Sequence, residues 1–316
     1  MVWFWIHYLV ANTLIVMKIV YALTFSCSLI HFVSAQDNKF DPTKYLGAEQ
    51  PGLTPILFSP GVVSLNDRYE YGSTFSPDNK EFYYAINVGQ KPEIHFIRFE
   101  NDAWTAPALL IAHAEYGYND PFATPDGKRL FFISDRALDG KGPKKDIDIW
   151  YIERNQSGWS EPVNAGKEIN TSKNEYYISF TKNTKMYYSS NGSTSAENDK
   201  NYDIKTSEYR NGRFQTSVTL GSAINSEHYE ADVFVSPDES YVIFCSERPG
   251  GKGKGDLYIS FKDKNGEWQP AKILDAGIST DAYEFCPFVT SDGKYFFFSR
   301  GGDIYWMSAR VLERFR

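Results

Sequence analysis

One turn template recurs five times along this 316-residue chain, at nearly constant intervals. The copies are Ser76-Pro77-Asp78-Asn79-Lys80, Thr124-Pro125-Asp126-Gly127-Lys128, Thr181-Lys182-Asn183-Thr184-Lys185, Ser236-Pro237-Asp238-Glu239-Ser240 and Thr290-Ser291-Asp292-Gly293-Lys294. Aligned on their third residues, at 78, 126, 183, 238 and 292, they lie 48, 57, 55 and 54 residues apart. That spacing is the length of a four-stranded propeller blade with its loops, and one such unit is too small to bury its own apolar face. The repeat therefore predicts an all-β chain in which successive blades pack on one another.

Each unit reads as four strands. The first runs into the turn, as in Tyr229 to Val235, and the second leaves it, as in Tyr241-Val242-Ile243-Phe244. The third follows an acidic residue and an aliphatic one: Glu93-Ile94, Asp148-Ile149, Asp203-Ile204, Asp256-Leu257 and Asp303-Ile304. A tight hairpin before the fourth strand carries Asn101-Asp102, Ser157-Gly158, Asn211-Gly212 or Asn265-Gly266, residues that tolerate the positive φ of two-residue turns. The fifth unit ends at Arg316 after its third strand. Thr54-Pro55-Ile56-Leu57 through Val63 resembles Gln269-Pro270-Ala271-Lys272 through Ile278, and each precedes a Tyr-Glu pair. The N-terminal strand is thus predicted to complete the last blade, closing a single five-bladed β-propeller over residues 51–316 and covering an open edge. Aromatic residues make up 16% of the chain and suit pleated, half-buried strands.

The turn followed by an aromatic strand and a Ser-Asp-Arg or Ser-Glu-Arg tail, as in Phe131-Phe132-Ile133-Ser134-Asp135-Arg136 and Phe244-Cys245-Ser246-Glu247-Arg248, resembles the TolB-type, WD-like β-propeller repeat of exported bacterial proteins. The resemblance covers the chain after residue 50. It departs from TolB itself, which has six blades and a separate N-terminal domain, so TolB's partners do not transfer. It implies a binding scaffold more often than an enzyme.

Residues 1–35 carry one formal charge, Lys18, and end in Val33-Ser34-Ala35, a small-residue cleavage pattern after an apolar run. They are read as a signal peptide, with Met17 as the start that gives a basic n-region of ordinary length; an uncleaved membrane anchor is the alternative. Processing would leave a periplasmic or extracellular protein with no membrane insertion. Residues 36–50 read as an extended linker whose loss should leave stability nearly unchanged. Cleavage would leave Cys245 and Cys286, which an oxidising compartment allows to pair and which otherwise serve as small buried hydrophobes. A net charge of −7 without a basic stripe argues against nucleic acid.

Eight residues before the third turn residue stand Glu70, Tyr118, Glu175, Glu230 and Glu284. Two positions further on stand Gly72, Asp120, Tyr177, Asp232 and Cys286, on the same face if side chains simply alternate. Both sets open the innermost strand and are expected around one mouth of the central channel. A carboxylate repeated in four blades fits blade construction, by accepting hydrogen bonds, as well as ligand binding. Positions that break the repeat, Tyr118, Asp120, His228 and Asp232, are the sharper binding candidates. Long second-to-third loops at 136–145, 191–202 and 248–255 lie on that same face, where binding commonly resides. No residue pattern for a metal, a cofactor, a nucleophile elbow or a phosphate loop is present; Asp135, Asp139, Asp146 and Asp148 lack the ligand spacing of a calcium loop. Two functions follow: an exported non-enzymatic scaffold for a protein, peptide or glycan, or a carbohydrate-active hydrolase or lyase using the inner-strand carboxylates.

Overall fold

The computed structural model describes residues 41–192 and 201–316. The expected signal peptide, residues 36–40 of the linker and part of the long loop of blade 3 lie outside the described residues. The innermost, second, third and outermost strands of blade 1 are Glu70–Phe75, Glu81–Val88, Lys91–Glu100 and Ala108–Ile111. Blade 2 uses Tyr118–Ala123, Arg129–Ser134, Asp148–Asn155 and Val163–Asn164. Blade 3 uses Glu175–Phe180, Met186–Ser190, Asp203–Ser207 and Val218–Thr219; blade 4 uses Glu230–Val235, Tyr241–Ser246, Asp256–Phe261 and Lys272–Ile273. All neighbours within a blade are antiparallel. The innermost strands touch in sequence around a closed ring, blade 5 meeting blade 1.

The recurring turn is built by its aspartate. In four copies the Asp carboxylate accepts the amide N–H two residues on, at 3.2, 3.0, 3.1 and 3.2 Å. The residue after the third position (Asn79, Gly127, Thr184, Glu239, Gly293) has φ between 58° and 69°. This is an Asx-stabilised reversal that fixes the register of two strands from five residues of sequence.

Blade 5 is Glu284–Val289, Tyr295–Arg300 and Asp303–Ser308, completed by Ile56–Leu57 from the other end of the chain. Ile56 pairs with Trp306 and Leu57 with Tyr305, as the sequence similarity predicts. The Phe58 N–H donates to the Ile304 carbonyl at 2.8 Å, and the Ser308 N–H to Gly52 at 2.8 Å. Phe58 itself is fully buried among Phe75, Phe82, Phe297 and Trp306, with ring centroids 4.9–6.0 Å away.

Residues 41–50 are not the extended linker their polar composition suggests. Tyr45 is buried against Phe75 and Tyr295, and its hydroxyl donates to Asp292 at 2.5 Å. The Trp104 indole N–H donates to the Pro42 carbonyl at 2.9 Å. One aromatic residue in a polar segment is enough to fasten the lead across the turns of blades 5 and 1, beside the closure.

Candidate functional site at the propeller axis

Each innermost strand breaks register at the same place. The bulged residues are Gly72, Asp120, Tyr177, Asp232 and Cys286, with φ of 51°, 51°, 41°, 54° and 50°. Simple alternation is therefore wrong here: the bulge re-aims these side chains and separates them from the Glu register two residues earlier. They meet across the axis. The Cys286 thiol of blade 5 lies 3.4 Å from Asp120 Oδ1 of blade 2, and the Tyr177 hydroxyl of blade 3 donates to the Pro287 carbonyl of blade 5 at 2.8 Å. Neither pair of blades is adjacent in the ring, so these contacts span it. A Cβ at Gly72 would lie 2.5 Å from Asp120 Oδ1, so the glycine supplies both the conformation and the space.

The repeated glutamates lie elsewhere. Glu70, Glu175, Glu230 and Glu284 are fully buried and do not form an open ring at the channel mouth. Their backbone N–H groups donate to Gly302, Ile147, Tyr202 and Gly255, the residue before the third strand of the preceding blade. The carboxylates of Glu175 and Glu230 tie the segment between blades to the end of the second strand, and those of Glu70 and Glu284 are held by that segment. Glu175 accepts from the Thr171 N–H and hydroxyl and from Ser190. Glu284 accepts from the Thr280 N–H and hydroxyl, whereas Glu70 is held by Arg68 and leaves Oε2 without a partner. Burial pushes Glu175 up to about 7 against the pull of those donors. Glu230 is the most heavily bonded, accepting from the Ser226 N–H and hydroxyl, Ser246 and Arg248 at 2.7–3.0 Å. Glu230→Ala should strand these donors and cost about 3 kcal/mol in urea denaturation; an unchanged midpoint would remove the residue from the blade-closing role.

Tyr118 takes the Glu register in blade 2. It is buried edge-on to Phe132, with its hydroxyl 3.2 Å from Arg136. His228 is on the segment leading into blade 4, its backbone N–H bonded to Ser226 and its ring 3.7 Å from the Glu227 carboxylate, and it does not join the axial group. Asp135 and Asp148 pair with Lys144 and Lys145, and Asp139 caps the amides of Lys141 and Gly142. Those carboxylates hold the loop of blade 2 together. Cys245 and Cys286 are free, buried thiols.

Above the bulges, on the face of the long loops, runs an arc of aromatic rings that the sequence reading missed. Tyr69 meets Tyr71 (5.7 Å between centroids), Tyr71 meets Phe285 (6.0 Å), and Phe285 meets Tyr283 (5.5 Å). Tyr283 interacts with Tyr229, which meets Tyr202 (5.4 Å), and Tyr202 meets Tyr176 (5.0 Å). The arc passes from blade 1 through blades 5 and 4 to blade 3 and is interrupted at blade 2, where Asn119 stands. Tyr69 is 42% exposed and Tyr71, Tyr176, Tyr229, Tyr283 and Phe285 are half-buried, so these rings line an accessible mouth, with Tyr202 buried behind them. The available signal was the Tyr-Glu-Tyr and Tyr-Glu-Phe pattern at 69–71 and 283–285, where aromatics flank the buried Glu on the opposite side of the strand.

At the floor of this mouth Asp120 and Asp232 are 6% and 7% exposed. Burial, and for Asp120 also the charge of Asp232, pushes their carboxyls up to about 8 and about 7; the Cys286 thiol and backbone N–H only partly offset this. The opposite end of the axis is apolar, a funnel of about 190 Å³ lined by Phe75, Phe122, Phe180, Phe234 and Phe288. Among the described residues the axis is therefore polarised, with carboxyls and a thiol toward the loop face and phenylalanines at the other end.

No family model and no curated protein matches the sequence. Among solved structures, a TolB-type protein from Agrobacterium tumefaciens is similar at 16% identity and a TM-score of 0.48, the match covering 74% of this chain and 70% of that one. TolB from Acinetobacter baumannii is similar at 14% identity and 0.45, over 76% of this chain and about half (54%) of that one. A gluconolactonase from Xanthomonas campestris is similar at 11% identity and 0.46, over 76% and 86%. By its turn repeat, its sheet order and its closed ring, the chain is a five-bladed β-propeller.

Proposed function

We propose that this protein is an exported, non-enzymatic binding propeller whose ligand, a protein, peptide or glycan, docks in the aromatic mouth at the loop face of the axis. The observation that carries the reading is the half-buried arc from Tyr69 to Tyr176, since rings left partly open around a rigid axis are ready-made contact area with little entropy to lose. Export rests on the apolar lead ending in Val33-Ser34-Ala35.

One observation favours the alternative of a carbohydrate-active hydrolase or lyase: Asp120 and Asp232 do come together at the axis. Glycoside hydrolysis, however, needs one carboxyl protonated and one held ionised. Both are pushed up here as a coupled pair that can hold a single proton near neutral pH, so the carboxyls alone do not separate the two readings and the ranking rests on the aromatic arc. The binding reading is tested on glycan and peptide panels with wild type and a Tyr71→Ala/Tyr176→Ala double variant. Loss of affinity by about tenfold or more in a stably folded variant is expected, as for truncated aromatic hot spots. Undiminished binding by the double variant, or glycan cleavage that vanishes in Asp120→Asn, overturns it.

A further inference from the structure

Resting on that binding reading, we propose that the group seated at the floor of the mouth is an organic ammonium ion, held between Asp120 and Asp232 and enclosed by the aromatic arc. Among the described residues, no lysine, arginine or histidine forms an ion pair with either carboxylate, although nearly every other buried carboxylate at the start of a blade has such a partner or several hydroxyl and amide donors. Asp232 is more than nine-tenths buried; Oδ2 receives one long contact, the Cys286 N–H at 3.4 Å, and Oδ1 receives none. Asp120 is met by the Cys286 thiol and the Asn119 amide, each at 3.4 Å. Buried carboxylates persist when paired, hydrogen-bonded or neutralised. Between them the two carboxyls receive three long contacts from protein donors, which leaves acceptor capacity unfilled.

The surroundings select the kind of cation. Tyrosine and phenylalanine rings attract an alkylammonium electrostatically and tolerate its methylene groups. Beyond the two carboxyls they offer a calcium ion too few of the six or more oxygen ligands it requires, and no group of three or more His, Cys, Asp or Glu placed to hold a metal occurs among the described residues. A neutral sugar would stack on the rings and donate hydroxyls to the carboxyls but bring no charge to offset theirs, and an anion would be repelled. The other titratable groups facing the pair are the thiols of Cys245 and Cys286 and the hydroxyls of Tyr71, Tyr176, Tyr177, Tyr229 and Tyr283. Burial pushes all of them up, so near neutral pH the two carboxyls are the groups that titrate. An entering ammonium favours their ionised forms, so binding expels protons to solvent.

The chemistry is shared by a free polyamine and by a lysine side chain, and the test separates them. The full chain is titrated calorimetrically with n-butylammonium, spermidine and N-acetyl-lysine methylamide, and with the neutral partners n-butanol and N-acetyl-norleucine methylamide. Each titration is run near pH 6 and pH 8 in buffers of different ionisation enthalpy. Butylammonium should bind at least about tenfold more tightly than butanol, more tightly at the higher pH, and with proton release. Asp232→Asn should lose that preference while remaining folded and still binding any neutral ligand of the mouth. Tighter binding of spermidine identifies a free amine as the natural source, and tighter binding of the lysine amide identifies a peptide. Equal affinity for butylammonium and butanol, or an ammonium preference retained in Asp232→Asn, overturns the proposal. Neutral ligands lost in Tyr71→Ala/Tyr176→Ala but kept in Asp232→Asn, with no ammonium preference in wild type, would sink the cation and leave the mouth standing. If neither variant changes binding of any ligand, both readings fail.

Discussion

A chain lacking residues 51–63 will lose its cooperative fold. Those residues supply the fourth strand of blade 5, and with it Phe58 and Val63, both fully buried at the ring closure. Removing the Phe58 side chain alone should cost about 3–5 kcal/mol, a large share of the roughly 5–15 kcal/mol that holds a typical domain together. The deletion also bares the edge of Asp303–Ser308, which then offers unpaired backbone groups to other chains. Circular dichroism and urea melts of otherwise identical chains check this. A cooperative transition at the wild-type midpoint would mean the ring does not depend on its N-terminal strand. Deleting only the lead is a milder case, although not the neutral one its composition suggests. Losing Tyr45, with its rings and its Asp292 bond, should cost about 2–4 kcal/mol.

The second large effect is a decline in stability from acid toward alkaline pH, centred on the axis. Asp120 and Asp232 have folded pKa values raised from 3.8 to about 8 and about 7. Between those limits the folded chain holds protons that the unfolded chain has released. The pair's contribution is fully present below about pH 4, falls by up to about 1.4 kcal/mol per pH unit for each proton the folded chain retains, and is gone once pH passes the raised folded values. Carboxylates with lowered pKa, such as Asp126 and Asp238, act in the opposite direction, but their contribution is already complete in this window. Wild type should therefore be more stable near pH 6 than near pH 8.5 by a few kcal/mol. An Asp120→Asn/Asp232→Asn double variant should gain stability at the higher pH and show a flatter profile. A residual slope from Glu175, raised to about 7, should remain. Calorimetric melting of both proteins from about pH 5.5 to 9 decides it; wild-type stability that climbs over this range would contradict the burial of the pair.

Most of the architecture could be read from sequence because its determinants are local. An Asp that captures an amide two residues away writes its turn into five residues, and four such turns with their Asn183 counterpart in blade 3 count the blades. The closing strand was legible because it had to look like its four counterparts. The axial site was not, because its determinant is a bulge. Alternation placed Glu70 and Gly72, or Glu230 and Asp232, on one face, whereas one left-handed residue sends the Glu into the blade and its neighbour to the axis. The clue lay in the composition of the two registers. Four copies of Glu mark a structural requirement, while Gly, Asp, Tyr, Asp and Cys at one register mark a position that the blade does not specify. The aromatic arc was hidden for another reason. An isolated Tyr on a strand reads as core, and only ring closure brings Tyr71 beside Phe285, 214 residues away by subtraction.

The bulges also bear on how such a molecule can change over time. Their left-handed backbone is set by the blades around it, at a cost of roughly 1–2 kcal/mol for each non-glycine residue held there. The side chains they present take no part in pairing strands within a blade, although Tyr177 and Cys286 make contacts across the ring. The axis thus behaves as five interchangeable letters on an otherwise fixed frame, where ligand preference can drift without endangering the fold. Two of the letters are not independent. The Asp120 carboxylate occupies the space that a side chain at position 72 would need, 2.5 Å from where its Cβ would be. Specificity at this end of the ring must then be inherited in pairs: one blade gains a side chain only when its neighbour gives one up.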